Sequence, residues 1–552
     1  MIQERFVKDF ESSIKSNWNL PALSDYEGAT RTYGQMGEKI LWLHYIYEKS
    51  HIKKGDKIAL IGKNSAHWAI TYLATVTYGA VIVPILPDFK PADIHHIVNH
   101  SDSIFFFVQD SIFENLDESQ MPNLEAIFSL DSFSLLHHKK AALVQIVDRA
   151  GNEYLQKWSG KINAESFQFP EIKNDDLAAV VYTSGTTGFS KGVMLPHNSI
   201  SANIRFAQRN MPLKKGHRIV CFMPLAHAYG CAFEFLFPMT LGCHITFLGK
   251  IPSPKILVTA FQSVKPQLIL SVPLIIEKIY KKQILPAISK KAVKFLFKMP
   301  IISKTLERKI RTKLMDVFGN NFFEIVIGGA SFNQEVELFL RKIGFPFTNG
   351  YGMTECGPLI SYAAWNVNKA FAVGRAVDTL EVKIDSPNAQ SIVGEILVRG
   401  ENVMSGYYKN PQASREAIDN EGWLHTGDLG LIDKDGFIYI KGRSKNMILG
   451  PSGQNIYPEE VEAKLNNMPF VGESLVIEKN NKLIALVNPD VEAADQAGLD
   501  EANLASKMEE NRKLLNESLP AFANVTRIDL YPEEFEKTPT KKIKRYLYNV
   551  AE

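Results

Sequence analysis

The chain has 552 residues, with 62 basic and 60 acidic side chains and a formal net charge of +2. That length exceeds what one hydrophobic core usually supports, so at least two domains are expected. A hydrophobic content of 45% and a charged content of 22% exclude wholesale disorder, and the near-cancelling charges give no global case for nucleic-acid binding.

Taken in order, the N-terminal stretch Met1-Ile2-Gln3-Glu4-Arg5-Phe6 leads into mixed charges, with no apolar core of a secretion signal. The apolar runs 57–61, 103–108, 268–272 and 323–327 are short and continuous, as suits strands covered on both faces. Helical patterns alternate with them, which predicts layered α/β architecture with parallel sheets. Residues 69–86 carry no charge over 18 positions, the lower edge of a membrane span. A helix ending at Gly79, then a buried strand 80–83 stopped by Pro84, explains that segment better. Cys221, Cys231, Cys243 and Cys356 show no paired spacing, which argues against a zinc site or a disulfide framework and fits reduced thiols in a cytoplasmic protein.

Between Lys278 and Lys313 there are twelve Lys or Arg residues and a single acid, Glu307, interleaved with Phe295, Leu296, Phe297, Met299, Ile301 and Ile302. Such a run reads either as a solvated helix face or as a surface that touches anionic lipid at the inner face of a membrane. From about Gly394 the pattern changes to short strands with Gly and Asp turns, at 394–398, 429–433 and 437–441. Leu475-Val476-Ile477 and the run 483–487 open a further α+β unit. The expected fold is therefore α/β: a large N-terminal domain (1–441) of layered subdomains plus a small β section, and a small, mobile α+β C-terminal domain (442–552). No internal repeat or low-complexity tract interrupts it.

The densest chemical signal is Tyr182-Thr183-Ser184-Gly185-Thr186-Thr187-Gly188-Phe189-Ser190-Lys191-Gly192, directly after an apolar strand. Its glycines allow close backbone approach, its hydroxyls and amides can wrap phosphate oxygens, and Lys191 can meet their charge. It is not a Walker A loop, because Ser190 precedes the lysine. Gly350-Tyr351-Gly352-Met353-Thr354-Glu355 places an aromatic ring, a hydroxyl and a carboxylate together. Tyr351 can stack on adenine, Thr354 can bond an α-phosphate, and Glu355 can hold Mg²⁺, which takes hard oxygen ligands. Asp428, in Gly422-Trp423-Leu424-His425-Thr426-Gly427-Asp428, can accept two hydrogen bonds and so suits a ribose diol.

With Pro224-Leu225-Ala226-His227, Gly328-Gly329-Ala330-Ser331, Gly442-Arg443-Ser444-Lys445 and Pro539-Thr540-Lys541-Lys542-Ile543-Lys544-Arg545, these segments resemble, in order and rough spacing over almost the whole chain, the acyl-adenylate-forming superfamily of acyl-CoA synthetases, luciferases and peptide-synthetase adenylation domains. The resemblance implies ATP, Mg²⁺ and coenzyme A as small-molecule partners. It implies that Gly329, Ala330 and Ser331 face adenine, that Gly350 and Met353 belong to the same nucleotide site, and that Arg443 is a second ribose contact. His227 would line the acyl site without acting as a general base, and Lys445 would be the hinge of the C-terminal domain. Family members usually carry Gly before the catalytic lysine. Here Lys541 stands there, and aligning Pro539 and Arg545 points to Lys542 as the residue that bridges carboxylate and phosphate.

No acid follows His227, unlike amino-acid-activating domains, and Gly352 replaces the Trp that closes the acyl pocket of short-chain enzymes. Gly352 and the basic segment look most like long-chain fatty acyl-CoA synthetases, and the loop around Gly453 resembles the one that admits the pantetheine thiol. The expected activity is two-step conversion of a fatty acid to its coenzyme A thioester. An acyl-carrier-protein acceptor, an aryl or other acid, and a non-catalytic nucleotide sensor remain alternatives.

Overall fold

The computed structural model describes residues 6–158, 162–183, 191–250, 253–288, 295–297, 299–450, 454–480, 482–538 and 542–548. Its centre is an eight-stranded mixed sheet in the order Gly406–Tyr407, Lys191–Pro196, Leu177–Thr183, Val81–Ile85, Lys57–Ile61, Ser103–Val108, Ala126–Ser129 and Leu135–His138. The inner strands are parallel, and Phe105, Phe106 and Phe107 are each buried from both sides. Burying one such ring contributes about 1.5–3 kcal/mol, so this run alone pins the strand between its helices.

The uncharged segment forms the helix Ala66–Tyr78, capped by Ser65 at its start and by Gly79 in the left-handed conformation at its end. The following strand runs Val81–Ile85, so it passes through Pro84 rather than stopping there. Pro84 stands opposite Leu60 in the parallel pairing with Lys57–Ile61, and the pairing with Leu177–Thr183 is at Ile82↔Ala179. No helix among the described residues is long and apolar enough to cross a membrane.

Two smaller sheets complete the α/β part: Arg218–Cys221, His244–Phe247, Pro21–Asp25 and Thr30–Thr32, and the parallel trio Leu268–Ser271, Glu324–Ile327 and Phe347–Asn349. A four-stranded antiparallel sheet follows: Leu380–Asp385, Gly394–Gly400, Leu424–Ile432 and Ile438–Arg443. The C-terminal unit pairs Val471–Lys479, Lys482–Pro489 and Val525–Leu530, backed by the helices Pro458–Leu465 and Glu501–Glu517. Its core, from Ile456 to Val525, is separate from the cores of the preceding part. The molecule therefore has a large N-terminal and a small C-terminal domain. The turn Ser444–Asn446, which contains Lys445, joins them immediately after the last strand of the four-stranded sheet. All four cysteines are free and buried.

Candidate active site

The site forms where strand ends of three sheets meet the C-terminal tail. Gly328 closes the strand Glu324–Ile327, its amide donating to the Ser271 carbonyl at 3.0 Å, and Gly329 turns with φ +87°. Gly329, Ala330 and Ser331 are exposed at the C-terminal ends of parallel strands, the usual ligand position in open α/β sheets. Gly350, whose amide donates to the Ile327 carbonyl at 2.9 Å, leads into the short strand Tyr351–Gly352 beside them.

Tyr351 is buried, and its phenol donates to Asp428 Oδ2 at 2.7 Å. Arg443 and Asp428 are cross-strand partners, and Arg443 Nε meets Asp428 Oδ1 at 2.9 Å. Burial, then the Asp428 charge, raises the Tyr351 hydroxyl well above the ordinary tyrosine value, so it stays a donor. The three residues expected to hold nucleoside are thus joined into one cluster, with the Arg443 side chain 48% exposed and open to a ligand.

Met353, Thr354 and Glu355 enter a tight turn: the Cys356 amide donates to the Met353 carbonyl at 2.9 Å and the Gly357 amide to the Thr354 carbonyl at 3.1 Å. The Tyr407 phenol donates to Glu355 Oε1 at 2.9 Å. Among the described residues no group of three or more His, Cys, Asp or Glu could hold a metal. Glu355, an oxygen donor with one carboxylate oxygen already oriented, fits Mg²⁺ carried by one carboxylate and the phosphates of a nucleotide. Thr183 and Lys191 are cross-strand partners, so the two ends of the phosphate-loop segment are fixed side by side. Ser184, Gly185, Thr186, Thr187 and Gly188 lie outside the described residues, as does Gly453. Lys191 Nζ lies 4.8 Å from the centre of the Tyr407 ring.

Lys542 reaches this cluster from the far end of the chain. Thr538 and Lys542 are held side by side: the Thr538 amide donates to the Lys542 carbonyl at 2.8 Å, the Lys542 amide to Thr538 Oγ1 at 3.2 Å, and Lys537 bridges Ile543. A paired Arg545–Glu462 contact anchors the segment 542–548 to the helix Pro458–Leu465, Arg545 Nη1 meeting Glu462 Oε1 at 2.8 Å. Lys542 is accessible to solvent. Burial, then the Arg443 charge, lowers its pKa from the ordinary 10.5, against the opposing pull of Asp428 and Glu355. Burial and then the Lys542 charge push His227 down to about 4, and its Nδ1 has no hydrogen-bond partner. At neutral pH that imidazole is uncharged.

The expected side chains Tyr351, Glu355, Asp428, Arg443, His227 and Lys542 therefore converge. Gly352 has a further constraint, because a Cβ there would lie 2.2 Å from the Pro358 carbonyl oxygen. Its lack of a side chain therefore has a backbone cause. Sequence reasoning overlooked Glu234 and Tyr407. Glu234, wholly buried in the irregular helical turn Cys231–Leu236, accepts the Phe222 and Met223 amides at 3.0 and 2.9 Å and so ties that turn to the end of the strand Arg218–Cys221. The one signal for it was a lone acid in an apolar run. An apolar cavity of about 20 Å³ lies against this turn, lined by Tyr72, Val181, Ala226, Ala228, Cys231 and Gly357 among others.

A family model described as "AMP-binding enzyme" matches residues 10–408. The long-chain-fatty-acid–CoA ligase FadD15 of Mycobacterium bovis is 26% identical over 90% of this chain and 86% of its own length. The chloroplastic long-chain-fatty-acid–[acyl-carrier-protein] ligase AEE15 of Arabidopsis thaliana is 27% identical over 93% of this chain and 80% of its own. In structure, ATP-bound MatB from Rhodopseudomonas palustris superposes with a TM-score of 0.76, covering 99% of this chain and 98% of that one at 19% identity, which is a likeness of fold.

Proposed function

The chain belongs to the AMP-binding enzyme family, and from that premise we propose that it activates a fatty acid with ATP and transfers the acyl group to coenzyme A. One arrangement carries the reading: Tyr351, Asp428 and Arg443 are bonded into one cluster at 2.7 and 2.9 Å, and Lys542 lies near enough for the charges of Arg443, Asp428 and Glu355 to act on it. A carboxylate approaching an α-phosphate meets repulsion between two anions, and an ammonium placed between them relieves it as the bond forms. The carboxylate oxygen attacks the α-phosphorus, pyrophosphate leaves, and acyl-AMP remains. Tyr351, Asp428 and Arg443 hold the nucleoside, while Thr354, Lys191 and the 184–188 segment hold phosphates. When bound at Glu355, Mg²⁺ supplies further neutralisation of the phosphate charge.

In the second step the C-terminal domain, with its boundary read at 441/442, turns about Lys445 and presents the Gly453 loop. The coenzyme A thiol attacks the mixed anhydride and AMP leaves. Such a turn is a hinge motion at the end of an element. A carrier-protein thiol is the competing acceptor, favoured by the likeness to a ligase of that name. An acid panel from acetate to stearate, with aryl acids included and pyrophosphate release as readout, tests the reading. A second stage offers each acceptor in turn. Nucleotide binding with no acid-dependent pyrophosphate release from any member would overturn it in favour of a sensor.

Peripheral contact of a cytoplasmic enzyme with anionic membrane belongs to the same proposal. Leu274, Phe295, Met299 and Ile302 are exposed apolar side chains, and the helix Pro300–Val317 exposes Lys304, Arg308, Lys309, Arg311 and Lys313. Each basic residue near such a surface contributes about 1 kcal/mol, screened by salt. Salt-sensitive sedimentation with anionic but not neutral vesicles is expected; equal partitioning onto both would contradict it.

A further inference from the structure

The proposed chemistry gives Lys191 to phosphate and Glu355 to the metal, and leaves Tyr407 unassigned although it touches both. The segment 402–408 threads between the two groups. On one side it extends the central sheet: Gly406 and Tyr407 pair with Met194 and Val193, and the Tyr408 amide donates to the Gly192 carbonyl at 2.7 Å. On the other it holds the Glu355 turn, whose carbonyl accepts the Met404 amide at 2.8 Å. Within this strap Tyr407 is buried, its backbone amide held by Ser414 Oγ at 2.8 Å. Its phenol donates to Glu355 Oε1 at 2.9 Å, and its ring faces Lys191 Nζ at 4.8 Å.

We propose that Tyr407 is a positioning residue that fixes the Glu355 carboxylate for a nucleotide-bound divalent cation and ties it to the phosphate-binding Lys191. A carboxylate on a short turn has free rotation about its side-chain bonds. One hydrogen bond to Oε1 fixes the plane of the group and leaves lone pairs for a metal, and outer partners of this kind typically change metal affinity about 10–100-fold. A tyrosine phenol carries its proton at neutral pH and so serves as the donor. The ring face toward Lys191 adds a cation–π contact that steadies the ammonium without neutralising it. This inference rests on the proposed ATP-dependent chemistry.

The test uses the full chain with Mn²⁺ as probe. Manganese is titrated against protein saturated with a non-hydrolysable ATP analogue, free Mn²⁺ is followed by its electron paramagnetic resonance signal, and analogue affinity is measured separately without metal. Tyr407→Phe keeps the ring and loses the donor. It should weaken Mn²⁺ about 10-fold or more, with metal-free analogue affinity within about twofold and an unchanged unfolding midpoint. Ser414→Ala, which loosens the same strap but keeps the phenol, should leave Mn²⁺ affinity as in the parent protein. Unchanged Mn²⁺ affinity in Tyr407→Phe, or an equal loss in Ser414→Ala, overturns the assignment. If the parent protein binds neither analogue nor Mn²⁺ with it, the ATP-dependent reading fails instead, and Tyr407 falls with it.

Discussion

Tyr351 and Asp428, distant in the chain, are joined by a 2.7 Å hydrogen bond in which the phenol donates to the carboxylate, and Arg443 closes on the other oxygen at 2.9 Å. Asp428→Ala strands a buried phenol and deprives Arg443 of its partner. A buried donor left unpaired costs about 1–3 kcal/mol. Asp428→Ala should therefore lower stability by that order and raise the KM for ATP, with the KM for the fatty acid much less affected. Steady-state kinetics with each substrate varied in turn, and chemical unfolding, check both parts. A variant with unchanged KM for ATP would remove Asp428 from the nucleotide site.

His44, His197 and His227 are each buried enough to be pushed from 6.5 to about 4, burial being the largest cause in every case. Between those two values the unfolded chain binds protons that the folded chain refuses. Stability is therefore full above about pH 6.5 and falls as pH drops toward 4. His197, packed 5.4 Å from the Phe6 ring with neither ring nitrogen bonded, can be replaced without losing a hydrogen bond. His197→Phe should reduce the acid slope of unfolding free energy by up to about one proton. Urea unfolding at pH 7, 6 and 5 measures it, and an unchanged slope would count against a neutral, buried His197.

Burial raises Glu234 well above the ordinary carboxyl value, against the lowering effect of the Met223 and Phe222 amides and the Cys221 thiol. A neutral buried carboxyl contributes its stability fully below about pH 4.5 and loses it as pH rises toward its folded value. Glu234→Gln keeps an acceptor for both amides and does not titrate, so it should gain on the parent protein between pH 4.5 and 7. Glu234→Leu leaves both amides unpaired and should cost about 1–3 kcal/mol. Equal unfolding free energies for the two variants would show that the amide bonds contribute little.

At Gly352 any side chain must displace the Pro358 carbonyl, 2.2 Å from the position of its Cβ. Overpacking of this kind costs about 1–3 kcal/mol. Gly352→Ala should accordingly lose stability and slow acetate and palmitate by similar factors. Gly352→Trp then shifts chain-length preference only on top of that general loss. A Gly352→Ala protein of normal stability with altered acid preference would instead make the residue purely a pocket determinant.

The strands Lys57–Ile61 and Ser103–Val108 were legible in the sequence because burial on both faces leaves an unbroken apolar run. The strand Leu424–Ile432 starts five residues before the apolar run that marks it, since His425 and Gly427 break the pattern: the His425 backbone still pairs with Leu397, and Gly427 sits at the irregularity in the ladder, its amide donating to the Glu395 carboxylate at 2.8 Å. Site residues were legible where chemistry concentrates them locally, as in Tyr351 to Glu355. Tyr407 was not, because its two-residue strand exists only through pairing with the strand Lys191–Pro196, a contact that no local period encodes.

We propose that Lys542 serves acyl-AMP formation and not thioester formation. Only in the first step do two anions crowd together; in the second a neutral carbonyl meets a thiol after the C-terminal domain has turned. Removing one such preorganised donor costs about 2.7–4 kcal/mol, or roughly 10²–10³ in rate. Lys541→Ala is the control and should be nearly silent, while Lys445→Pro should spare the first step and slow the second by stiffening the hinge. The decisive measurement is single-turnover kinetics of Lys542→Ala on each half-reaction. Acyl-AMP formation should fall by at least about 10² while supplied acyl-AMP and coenzyme A react almost normally; equal losses in both steps, or a loss that appears in Lys541→Ala instead, would contradict it.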